Sequence, residues 1–113
     1  MIKIRIMYWK EIPVQVEFNA SGEKKSLKLD DRFQHAVDSI AMKDGSYGSD
    51  DYLNGWEWKE VEEIDEEFTE KLIGEYLDKY KYPQDLIKKI TELLESDKRD
   101  ESPGAIDSWI VGN

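Results

Sequence analysis

The sequence predicts an α+β domain: a three- to four-stranded, mostly antiparallel sheet with helices packed on one face, in the order β-β-β-α-β-α-α. Three observations lead there. The first eighteen residues alternate apolar and polar side chains, the links between the first elements are short, and later apolar residues recur at helical spacing. Ile2, Ile4 and Ile6 alternate with Lys3 and Arg5, the period-two pattern of a half-buried strand, and Tyr8 and Trp9 end the run. After a break at Pro13, Val14, Val16 and Phe18 alternate with Gln15 and Glu17. Asn19-Ala20-Ser21-Gly22 signals a turn. Lys24 to Leu29 then forms a third strand with Leu27 and Leu29 on one face. Short links of this kind favour antiparallel neighbours, hence a β-meander.

Asp30 or Asp31 caps the first helix. Its stripe of Phe33, Ala36, Val37, Ile40 and Ala41 faces the sheet, and Lys43-Asp44-Gly45 ends it. Ser46 to Asp51 is a loop, and Ser49-Asp50-Asp51 can start one helical turn carrying Tyr52 and Leu53. Asn54-Gly55 turns the chain into a fourth strand, Trp56-Glu57-Trp58-Lys59. From Ile64 the period becomes helical, with Phe68, Leu72, Tyr76 and Tyr80 in one stripe and acidic residues crowding its start, where the helix dipole favours them. Pro83 breaks that helix and opens another, striped with Leu86, Ile87, Ile90, Leu93 and Leu94. The domain is expected to span residues 1–95. Residues 96–113 are expected to be a flexible tail, with Trp109-Ile110-Val111 as a docking point.

Length and composition narrow the function classes. A chain of 113 residues is one ordinary domain. Its net charge of −10 repels nucleic acid and anionic membrane, so neither is expected as a partner. With no cysteine there is no disulfide, thiol nucleophile or cysteine metal site. No apolar run approaches the roughly 20 residues that cross a bilayer. The opening strand does not resemble a signal peptide, so the expected location is cytoplasmic.

The opening run MIKIRIMYWKEIPVQVE resembles the bacterial virulence factor domain family. So do Arg32-Phe33-Gln34, Ala36, Asp38, Ala41-Met42, Gly45, Gly48, Asp51-Tyr52-Leu53 and Trp56-Glu57-Trp58. The resemblance is strong over residues 1–58 and loose to about Glu95. A similar domain lies in the middle of staphylococcal conserved virulence factor C, between a domain like the N-terminal part of Nfu/NifU scaffolds and HEAT-like repeats. The resemblance implies a module that stands alone or sits between interaction domains. It brings no catalytic residue or ligand.

The residues themselves offer little chemistry. No serine-centred nucleophile motif is present, and no catalytic residue is assigned. The loop from Asp44 to Asp51 is rich in oxygen ligands, but Ser49 and Gly55 stand where an EF-hand needs glycine and glutamate. No metal or cofactor is therefore expected. Two features remain. Lys3, Arg5, Lys10, Lys24, Lys25 and Lys28 cluster in the meander while 57–75 is mostly acidic, a two-signed pattern that either offsets itself internally or steers a protein partner. Aromatic residues also gather at the strand ends. Adjacent Tyr8 and Trp9 must point to opposite faces, and Trp56 and Trp58 share one.

The leading expectation is a non-enzymatic protein-interaction or adaptor module that binds another protein through Arg5, Tyr8, Trp9, Lys10, Trp56 and Trp58. The alternative is a small-ligand or enzymatic pocket built from His35, the only histidine, with Asp44, Asp50 and Asp51. A third reading is a homo-oligomer that covers the exposed sheet face with a second copy.

Overall fold

Strand β1 (Ile2–Trp9) is the spine of the sheet, because antiparallel partners flank it on both sides: β2 (Ile12–Ala20) and β4 (Trp56–Ile64). Strand β3 (Glu23–Lys28) pairs with β2, which gives the order β3-β2-β1-β4. The computed structural model describes residues 1–112. Ile2, Ile4, Ile6 and Tyr8 project from one face of β1 and are buried, as are Val16 and Phe18 of β2. Helices α1 (Asp31–Lys43), α3 (Glu70–Leu77), α4 (Leu86–Glu95) and α5 (Asp107–Ile110) bring Phe33, Val37, Ile40, Ile73, Tyr76, Leu86, Ile90 and Ile110 into the same core. The expected α+β class and element order hold, with α2 (Asp50–Asn54) and α5 as two further short helices, and the main helix layer covers one face while α2 lies over Trp9 on the other.

Local chemistry explains most boundaries. Ser21 and Gly22 both have positive φ, 49° and 88°, which is the two-residue turn whose twist suits a hairpin. Asp30 caps α1 by accepting a hydrogen bond from the Arg32 amide, and Thr69 caps α3 through the Leu72 amide. Pro13 does not break its strand. It sits second in β2 where the register with β1 slips between Met7 and Tyr8, and a bulge tolerates a residue without an N–H.

Two further expectations need correction. β4 runs on to Ile64 instead of ending at Lys59, and α3 starts only at Glu70. The acidic residues after Trp58 are therefore strand residues: Glu60 lies opposite Arg5 and Glu63 opposite Lys3. Opposite charges across a strand pair favour pairing, and the hydrogen-bonding edge of β1 would otherwise be left open. The second correction concerns the segment expected to be a flexible tail. Arg99, Ile106 and Ile110 are buried, Val111 forms a β-bridge with Tyr80, and the Tyr8 hydroxyl donates to Asp107 at 2.8 Å. Its few apolar residues are enough because they enter a core that the sheet and helices leave open. Among the described residues, no helix is long and apolar enough to cross a membrane.

If the C-terminal segment is part of the core, Ile110→Ala should lower the unfolding free energy by about 3 kcal/mol in urea denaturation. A loss below about 0.5 kcal/mol would be the behaviour of a loose tail.

Candidate functional site

The β1–β2 hairpin turns through Lys10 and Glu11, and both side chains fold back against the body instead of reaching solvent. Lys10 has φ 52°, a conformation that few non-glycine residues adopt. Its ammonium is held by Asp44 and Asp51 at 3.0 Å each and by Glu101 at 2.9 Å. Beside it, the Arg99 guanidinium donates two bonds of 2.7 Å to the Glu11 carboxylate and one of 2.9 Å to Asp44. Lys10, Glu11, Asp44 and Arg99 are buried, and their formal charges cancel. Burial alone would push the Asp44 carboxyl up. Hydrogen bonds from the Ser46 hydroxyl and amide, then from Arg99 and Lys10, outweigh it and hold the group at about 2. Every charge in this cluster is already paired. The arrangement suits holding segments together, and it presents no free base or nucleophile.

The aromatic residues of the predicted site separate into two populations. Tyr8 and Trp9 are fully buried and cannot touch a partner. Burial, followed by the Asp107 charge, pushes the Tyr8 hydroxyl strongly up, so it stays protonated as a donor. Trp9 lies on the face opposite Tyr8, but α2 closes over it: its indole N–H donates to the Tyr52 carbonyl at 2.9 Å. A Cβ on Gly55 would come within 2.7 Å of that indole nitrogen, so the close approach requires glycine. Lys10 is likewise buried in the charge cluster.

The other aromatics stay at the surface. Trp56 lies opposite Trp9 and Trp58 opposite Met7, so both are on the sheet face that the helix layer leaves open, and both are half-buried. Arg5 stacks on Trp58 at 4.3 Å while its guanidinium bonds Glu17 at 2.7 and 3.1 Å. From Trp56 the band continues onto α2 and its preceding loop. Tyr52 meets Trp56 edge-on at 6.2 Å and Tyr47 at 6.0 Å. Tyr47, Tyr52, Met42, Gly48 and Asp38 line an open groove of about 500 Å³. Met42 and Tyr47 are 69% and 62% exposed, and Leu53 on α2 is 67% exposed, a concentration of bare apolar surface in so charged a chain. A second open groove of about 400 Å³ runs beside Arg5, lined by Lys3, Glu17, Asn19, Glu60 and Glu63.

The alternative pocket does not assemble. His35 lies in the first turns of α1 and Asp44 at its C-cap, nine residues on, about 13 Å along the axis. His35 is exposed beside a small cleft of about 120 Å³ with Asp30 and Asp31. Asp30 is committed to the Arg32 amide and guanidinium. Asp44 is buried under Arg99, while Asp50 and Asp51 are exposed on α2. Among the described residues, no group of histidine and carboxylate side chains could hold a metal ion.

Sequence reasoning missed Glu11, Arg99 and Glu101 in the charge cluster, and Met42 in the band. Arg99 sits in a Lys-Arg-Asp-Glu stretch with the look of solvated tail, and its partner Glu11 is 88 residues away. No local signal reveals such a pair. Tyr47 and Tyr52 stand close in sequence to the two tryptophans, but no local pattern shows them as their surface continuation.

A family model described as "Virulence factor" matches residues 7–91, most of the chain. No curated protein and no solved structure matches it.

Removing one partner from a buried ion pair leaves the other charge stranded, so Arg99→Ala should cost about 3–5 kcal/mol in urea denaturation. A loss under about 1 kcal/mol would show the cluster to be dispensable. Acid should reveal Asp44 as well. Its folded value of about 2 is below the usual 3.8. The stability it contributes is therefore present above about pH 4 and lost as pH falls toward 2, on the order of 2 kcal/mol. Urea curves between about pH 5 and pH 2 should show that loss in the wild type and a shallower one in Asp44→Asn.

Proposed function

The chain belongs to the virulence factor family, and on that premise we propose that it is a non-enzymatic protein-interaction module. Its docking surface is the band that runs from Arg5 and Trp58 through Trp56 and Tyr52 to Tyr47 and Met42. The observation that carries this reading is the exposure of Met42 and Tyr47 beside a run of edge-to-face rings, on a chain of net charge −10. Contiguous apolar surface costs solubility, and monomeric proteins keep it small unless something covers it. Tryptophan, tyrosine and arginine are also the side chains that most often anchor an interface. The rings are held in place before binding, Tyr52 by its contacts with Trp9 and Trp56, so little conformational freedom is lost on docking.

The paired state of the buried charges supports the non-enzymatic half of the proposal. Lys10, Glu11, Asp44 and Arg99 are consumed by one another, and His35 stands apart from them. The module is proposed to act in the cytoplasm, with another protein as its partner.

Affinity capture from native lysate, comparing the wild type with a Met42→Ser, Tyr47→Ala double variant, tests the surface. Both positions are exposed, so the double variant should change stability by no more than about 1 kcal/mol. Partners recovered by the wild type should fall about tenfold or more with the variant. Equal recovery of every partner, with the fold intact by circular dichroism, would remove this surface from consideration.

A further inference from the structure

The chemistry of the proposed docking surface also specifies its occupant, an inference that rests on the reading above. Aromatic faces in this molecule repeatedly accept cations. Arg5 stacks on Trp58 at 4.3 Å, and Lys10 and Arg99 approach the Trp9 ring at 4.9 and 5.9 Å. Arg32 does the same on Tyr82 at 4.9 Å and Lys89 on Trp109 at 5.1 Å. The rings at the α2 end of the band are different: among the described residues, no lysine or arginine stacks on Tyr47, Tyr52 or Trp56. Carboxylates surround them instead. Asp38 forms one wall of the groove with Tyr47 and Tyr52, and Asp50 and Asp51 are exposed in the first turn of α2. Of these, Asp51 is engaged by Lys10, whereas Asp38 accepts only a bond of 3.2 Å from Gln34. A π face beside a carboxylate is the environment in which a cation gains most, since the ring quadrupole and the charge act together.

We infer that the groove of Asp38, Met42, Tyr47, Gly48 and Tyr52 receives a lysine- or arginine-bearing segment of another protein. The cationic head lies over the tyrosine rings and pairs with Asp38, and an apolar neighbour in the segment rests on Met42. Two observations select this occupant. Each copy carries −10 charges, so a second copy or an acidic segment would bring like charge to an acidic rim. The groove is also open, and its Tyr52 meets half-buried Trp56 edge-on, a shape that covers a length of chain and does not enclose a small cation.

Selection from a random twelve-residue peptide display library on the folded chain, with counter-selection on the Met42→Ser, Tyr47→Ala variant, tests this inference. Enriched peptides should share lysine or arginine next to an apolar residue. Replacing that cation by alanine, or Asp38 by Asn in the protein, should weaken binding about five- to tenfold in a fluorescence titration. Enriched peptides that need the two groove residues but carry no cation would overturn the inference and leave the docking surface standing. Enrichment only of peptides that bind wild type and variant equally, or no enrichment at all, would overturn both.

Discussion

The buried charge cluster at the hairpin end is the constraint on which the rest of the molecule depends. Lys10, Glu11, Asp44 and Arg99 come from a turn, a helix end and the C-terminal segment, and each leaves water only because the others are there. A buried ion that loses its partner is far more costly than the pair is favourable, so the cluster forms as a unit or not at all. Its consequence is geometric. It pulls residues 96–112 onto the body, where Ile106 and Ile110 can enter the core, and it stabilises Lys10 in a turn conformation that it would not otherwise favour.

The same cluster positions the surface that we assign to function. Asp51 reaches Lys10 from the first turn of α2, and Asp44 closes the loop before it through the Ser46 hydroxyl and amide. α2 is thereby laid over Trp9, and Tyr52 is set between Trp56 and Tyr47. The buried indole of Trp9 is thus a platform for the exposed band, and Gly55 is the residue that lets the chain pass close enough to make it so. Stability and the proposed docking surface are coupled here through packing, because Tyr52, at the centre of the band, rests on the buried Trp9 ring.

Alternation at Ile2, Ile4 and Ile6, the stripe of α1 and the Ser21-Gly22 turn were legible because each is a local periodicity or a local turn chemistry, visible within a few residues. The candidate surface was legible in part. Arg5, Trp56 and Trp58 lie on it, while Tyr8, Trp9 and Lys10 lie beneath it or in the charge cluster. Strand alternation required Tyr8 and Trp9 to face opposite ways, but which of them a neighbouring segment would cover is not a property of the strand.

The sequence by itself therefore determined the sheet, the helix faces and the family pattern over residues 7–91. The tertiary structure alone decided that 60–64 is strand and not the approach to a helix, that the C-terminal segment is core, and that Arg99 finds Glu11. The physical reason is common to all three. Each outcome is set by the cost of leaving a distant partner unsatisfied, a free edge of β1 or a carboxylate out of water. That cost appears only when segments far apart in sequence are brought together.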